Sequence, residues 1–173
     1  VSNVEPKEVW KNFVLLNERP RPSKTEDRVI EFLISFATKN NLIYKQDKVG
    51  NLVIVKESTP DMITRETVVL QSHVDMVHEK NNDVEFDFLN SGIKMYVDGD
   101  WVKADGTTLG ADNGLGVAAI MAILESKEIS HPKIEALFTI DEETGMTGAL
   151  NLSDTILTGK ILLNLDTEED DEI

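Results

Sequence analysis

Three short apolar runs, each ending abruptly in a charged or imidazole side chain, limit what this chain can fold into. Thr67-Val68-Val69-Leu70-Gln71 leads into Ser72-His73-Val74-Asp75. Ile134 to Ile140 leads into Asp141-Glu142-Glu143, and Lys160 to Leu165 leads into Asp166. Near-continuous β-branched and aliphatic runs of this length are typical of strands covered on both faces, as in parallel sheets. In such sheets functional groups gather at the carboxyl ends of the strands. The three run ends are therefore expected to converge.

The intervening segments carry helical periodicity. Val9, Trp10, Phe13, Val14 and Leu16 mark a helix over Pro6 to Asn17, which Arg19-Pro20-Arg21-Pro22-Ser23 interrupts. Ser23 or Thr25 is placed to cap a second helix, Glu26 to Lys39, striped by Val29, Ile30, Leu33 and Phe36. Leu42 to Gln46 and Asn51 to Lys56 read as strands joined through Asp47-Lys48-Val49-Gly50. A further strand pair, Lys94 to Asp98 and Trp101-Val102, turns at Asp98-Gly99. Helices over Asn113 to Glu125 and Thr147 to Leu152 complete the pattern. This alternation predicts one α/β layered domain with a largely parallel central sheet.

Thr108-Leu109-Gly110-Ala111-Asp112-Asn113-Gly114-Leu115-Gly116 sets one carboxylate among small residues, at the mouth of an apolar helix. Two readings are open at this stretch: a helix cap by Asp112 or Asn113, or a turn that presents Asp112 to a ligand. A phosphate loop does not fit, because the Lys-Ser/Thr pair is missing and Asp112 would repel the anion.

With 173 residues, 40% of them hydrophobic, the chain is long enough to bury a sizeable core. Its net charge of −15 argues against nucleic-acid or anionic-membrane partners, which require a basic face. The run from Asp166 through Glu168, Glu169, Asp170, Asp171 and Glu172 reads as a solvated acidic tail. It lacks the turn glycine of a calcium loop. There are no cysteines, so any metal must be held by His, Asp and Glu. The first residues lack a secretory signal pattern, and no apolar run approaches the roughly 18 residues of a membrane span. A cytoplasmic protein is expected.

Imidazole plus hard oxygen donors suits zinc, manganese or cobalt. Residues two apart on an extended chain share a side, so Asp75 can hold the His73 ring nitrogen that faces away from a metal. Glu142 and Glu143 diverge at a strand end, so one can ligate while the other serves as general base. Each piece also has a plainer reading: a packed imidazole at His73, a helix start at Asp141-Glu142-Glu143, and the beginning of the acidic tail at Asp166.

His73-Val74-Asp75-Met76, Thr107 to Gly114, Asp141 to Ala149 and Asn164 to Glu169 occur in the order found in co-catalytic zinc dipeptidases. The chain most resembles the aminoacylhistidine dipeptidases (Xaa-His, carnosinase-like or cytosol non-specific dipeptidases), from about Trp10 to its last residue. Gln71 to Val77 followed by Lys80-Asn81-Asn82-Asp83 strengthens that resemblance. It implies a three-layer α/β/α zinc-peptidase-like domain, incomplete at the C-terminus. Residues 1–173 would be the N-terminal part of the catalytic domain, without the lid domain and the C-terminal catalytic segment.

The resemblance further implies two divalent metal ions, zinc first, with cobalt or manganese as alternatives. His73 and Asp166 would ligate one metal, Glu143 the other, and Asp112 would bridge them. Asp75 would orient His73, and Glu142 would be the general base in dipeptide hydrolysis of Xaa-His or broad specificity. A cis Asp112–Asn113 peptide bond is also implied, as is a homodimer for the parent protein. A further metal-binding His and a lid His of the family have no counterpart in His78 or His131, so the 173-residue chain by itself is expected to turn over poorly or not at all. The competing expectation is a non-catalytic metal-binding or oligomerising module.

Overall fold

A computed structural model of the chain describes Val1 and residues 3–166. The elements are α1 (Lys7–Asn17), α2 (Asp27–Lys39), β1 (Ile43–Gln46), β2 (Leu52–Lys56), β3 (Val68–His73), β4 (Met95–Asp98), β5 (Trp101–Ala104), α3 (Ala111–Glu125), β6 (Ile134–Thr139), α4 (Glu142–Gly145), α5 (Thr147–Leu150) and β7 (Ile161–Asn164). The acidic run 168–172 lies outside the described residues.

Five strands form one sheet in the order β1-β2-β6-β3-β7. β6, β3 and β7 are mutually parallel, whereas β2 is antiparallel to both β1 and β6. Four of the five strands therefore point the same way, as the apolar runs lead one to expect. β4 and β5 form a separate antiparallel hairpin.

Alternation along the strands divides the core in two. Leu52, Ile54, Leu70, Ala136 and Phe138 face one side and pack against Leu16 of α1, Val29 and Leu33 of α2, and Val117, Ile120 and Met121 of α3. Val53, Val55, Val69 and Leu137 face the other side, where Leu152, Ile156 and Leu157 cover them. Among the described residues that second layer is thin. β7 closes the sheet as an edge strand, and Ile161, Leu162 and Leu163 are 45%, 54% and 44% exposed.

Two local expectations change. Neither Ser23 nor Thr25 caps α2; its N-cap is Glu26, without a side-chain cap bond. The Ser23 hydroxyl donates instead to Asp75 Oδ2 at 2.8 Å, and Thr25 Oγ1 donates to the Pro22 carbonyl. Nor do Asp112 and Asn113 cap α3. The helix begins from Gly110 at φ 69°, and both residues leave helical geometry inside its first turn, across a cis Asp112–Asn113 peptide bond.

Candidate metal centre

The strand order brings the three run ends together. β3 lies between β6 and β7, so His73 at its carboxyl end is flanked by the turn after β6, with Glu142 and Glu143, and by Asp166 after β7. α3 packs across β3 and brings in Asp112 from its irregular first turn. Ser72 Oγ donates to the Asn113 carbonyl at 3.1 Å and also meets Asn113 Oδ1, fixing that turn to the strand. Asn113 Nδ2 donates to the Leu165 carbonyl at 2.9 Å and to Asp166 Oδ1 at 2.7 Å. One amide thus couples the Asp112 turn to the Asp166 end.

His73 is the buried centre of the group, at 1% exposure. Its Nε2 lies 3.0 Å from Asp112 Oδ1, 3.8 Å from Asp166 Oδ1 and 3.9 Å from Glu142 Oε2. On the other side of the ring, Nδ1 is 3.2 Å from Asp75 Oδ1, but out of line for a well-directed hydrogen bond. Two overlapping sets of potential ligand atoms result: His73 with Asp112 and Asp166, and His73 with Glu142 and Glu143. The Asp112 side chain is 69% exposed, so the group opens to solvent on that side.

This concentration of acids governs the local proton affinities. Burial pushes the His73 imidazole down, but Asp75, Asp166 and Asp112 outweigh it and raise it to about 9. Burial raises the Glu142 carboxyl, with Asp166, Asp75 and Asp112 adding to it against His73. Glu143 is raised by burial and by Asp112. Asp75 moves the other way: burial raises it, but His73, the Glu142 N–H and the Ser23 hydroxyl together bring it below the usual range. At most one proton on Nε2 faces three carboxylate oxygens. A set of hard oxygen donors with one imidazole and excess negative charge fits a divalent cation such as zinc, cobalt or manganese.

Beneath the group lies a scaffold that the sequence does not announce. Asp75 accepts from the backbone N–H of Glu142 at 3.1 Å and of Glu143 at 3.3 Å. Buried Glu26 accepts from the Asp141 N–H at 3.0 Å and the Lys24 N–H at 2.9 Å. Asp141 takes left-handed geometry at φ 51° and accepts from the hydroxyls of Thr144 and Thr147. Glu26, Asp75 and Asp141 lie close together, with these hydrogen bonds holding the turn that presents Glu142 and Glu143. Beside Glu142 and Asp166 is a cavity of about 200 Å³, floored by Leu137, Met146 and Leu162.

Residues 51–171 match the peptidase family M28. The chain belongs to that family. Over all 173 residues it is 43% identical to the cytosol non-specific dipeptidase of Escherichia coli, covering 36% of that protein. The aminoacylhistidine dipeptidase of Vibrio alginolyticus superposes with a TM-score of 0.95 at 47% identity, over 98% of this chain and 34% of that one. The aminopeptidase PepT of Bacillus cereus follows at 0.80 and 25% identity, over 96% and 44% of the two chains. The chain thus spans about a third of the length of its dipeptidase relatives. Membership of M28 and the dipeptidase likeness agree with the resemblance read from the strand-end motifs. Among the described residues, no helix is long and apolar enough to cross a membrane.

Proposed function

We propose that this chain carries the metal-binding and proton-transfer groups of a dipeptidase that hydrolyses Xaa-His or a broad range of dipeptides. The observation that carries the reading is the convergence on His73 Nε2 of carboxylates from three separate elements: Asp112, Asp166 and Glu142. The M28 match and the 43% identity to a dipeptidase support it independently.

One imidazole nitrogen can ligate only one cation, so the two overlapping sets around His73 cannot both use it. The shorter approach to Asp112 supports placing His73 in a site with Asp112 and Asp166. Glu143, whose carboxyl feels Asp112 as its strongest charged neighbour, would then serve a second cation together with Asp112. Two bound divalent cations, zinc first, would supply Lewis acidity, easing deprotonation of a water and polarising the scissile carbonyl.

The chain's own groups do the rest. Asp75, 3.2 Å from His73 Nδ1, would orient the ring and leave the Nε2 lone pair free. Glu142, raised by burial and neighbouring acids, takes the proton of the attacking water and delivers it to the departing amine. The adjoining cavity gives a short peptide room beside Glu142.

The reading takes residues 1–173 as the N-terminal part of a catalytic domain, which the one-third share of the dipeptidase relatives supports. It includes a cytoplasmic location and a homodimer, with no nucleic-acid or membrane partner. The exposed apolar edge at β7 supports association of the 173-residue chain with itself, apart from the homodimer of the parent protein. Metal analysis beside a dipeptide-hydrolysis assay, on the longest form of the protein that turns over, tests the function. Divalent metal with dipeptide hydrolysis is expected, and turnover undiminished by exhaustive chelation would overturn it.

A further inference from the structure

Arg21 is buried to 1% exposure, and its guanidinium makes four hydrogen bonds that all end near the metal centre. Nη1 donates to the carbonyls of Val74 at 3.1 Å and Asp75 at 3.2 Å. Nη2 donates to the Gly110 carbonyl at 2.6 Å and to Asn17 Oδ1 at 2.9 Å. Asn17 passes the hold along, its Nδ2 donating to the Leu109 carbonyl at 2.9 Å. The backbone on either side of Arg21 is pinned too. Pro20 and Pro22 restrict its neighbours, and the Met76 N–H donates to the Arg21 carbonyl at 3.2 Å.

The arrangement is costly. Burying a guanidinium costs several kcal/mol even when paired. Here Nε is left without a partner, and burial brings the group down to about 10 despite the Asp75, Asp112 and Glu143 charges. It remains a cation at neutral pH. A buried ion with an orphan N–H is weak as a stability device, so its placement needs another reason.

That reason lies in what the fork joins. One nitrogen grips the segment immediately after His73, and the other grips the residue two before Asp112. A Cβ at Gly114 would lie 2.5 Å from Arg21 Nη2, and so would one at Gly110, whose φ of 69° already favours glycine. The small residues around Asp112 therefore make room for this guanidinium. Gly110 and Gly114 thus make way for Arg21, whereas Gly116 makes way for the Asn113 amide and the Ser72 hydroxyl.

We propose that Arg21 is a positioning residue for the metal centre, tying the His73–Asp75 segment to the Gly110–Asp112 turn so that the His73 and Asp112 donors meet. This rests on the cation-binding reading above. A lysine keeps the charge but has a single nitrogen, which cannot span two backbone segments as the planar fork does.

Cobalt(II) titration of the 173-residue chain, followed by its visible d–d absorption and by equilibrium dialysis, tests the inference. Arg21→Lys removes the fork, and Gly114→Ala displaces it while keeping every atom of Arg21. Circular dichroism and thermal melting report the fold of both. The expected result is that wild type binds cobalt with a defined spectrum, and that each folded variant binds about tenfold or more weakly with altered bands. If Arg21→Lys does not fold, Gly114→Ala decides. Folded variants with wild-type affinity and spectrum, altered only in melting temperature, would show a purely structural role and overturn the inference. A wild-type chain that binds no cobalt would instead remove the metal-site reading beneath it.

Discussion

His73 Nε2 and Asp112 Oδ1 stand 3.0 Å apart although 39 residues separate them in the chain. The contact joins the end of the central strand to the irregular first turn of the helix packed over it. His73 is buried among acids, and Asp112, mostly exposed, would be free to turn into water. The separation suits two donors sharing a small cation.

Glu142→Gln tests the base assignment. The amide keeps the size of the side chain and leaves His73, Asp112, Glu143 and Asp166 in place, so metal content is expected to stay at the wild-type level. Loss of the proton acceptor is expected to lower kcat by about 10²-fold or more. Metal analysis and steady-state hydrolysis of a dipeptide, on a form of the protein that turns over, check both halves. Wild-type turnover would rule out Glu142 as the base.

Asp75→Asn tests the coupling beneath the centre. Asp75 faces His73 Nδ1 and accepts from the Glu142 and Glu143 backbones. An amide can still accept a backbone N–H but carries no charge to polarise and orient the Nδ1–H of a ligating imidazole. Cation affinity is expected to fall by about 10–100-fold, as for other partners that orient a ligating histidine. Calorimetric titration measures it.

pH dependence separates the metal-free and loaded states. The folded His73 pKa of about 9 lies above its ordinary 6.5. Its protonation therefore contributes stability that is complete below pH 6.5 and lost as pH rises through about 9. The contribution is on the order of 3 kcal/mol. Denaturant unfolding in chelator, at about pH 6 and about pH 9.5, is expected to show the decline. With saturating zinc the trend is expected to reverse, because a cation and a proton compete for the same nitrogen. Metal-free stability that climbs over this interval would contradict the assignment.

The strand ends were legible in the sequence because parallel-sheet strands advertise themselves as apolar runs, and their carboxyl ends are where charge reappears. His73, Glu142, Glu143 and Asp166 all followed from that single rule. Asp112 was ambiguous, since a cap and a ligand turn share the same residue types. What stayed hidden was the set of buried polar partners. Arg21 looked like part of a proline-rich break, Ser23 like a helix cap and Glu26 like a first-turn acid, yet all three serve the centre or its Asp75 and Asp141 supports. Such pairings bridge tens of residues and leave no local period. The flanking of Arg21 by two prolines was the one available hint. The exposed apolar edge at β7 agrees with the expectation that a domain incomplete at its C-terminus leaves sheet edge uncovered.

The β7 edge offers a test of self-association. Ile161, Leu162 and Leu163 present apolar side chains on a strand whose outer edge has no partner among the described residues, a template for pairing with another copy. Sedimentation velocity is expected to show concentration-dependent association of the 173-residue chain, weakened by Leu162→Lys. A strictly monomeric wild type would refute association of this chain through the β7 edge.

A calorimetric zinc titration of the wild-type chain beside His73→Ala and Asp112→Ala is the most direct test that these two residues hold a cation. Wild type is expected to bind zinc, and each variant, folded by circular dichroism, is expected to lose affinity by about 10²-fold or more as a ligand is removed. Wild-type affinity and stoichiometry in either variant would contradict the assignment.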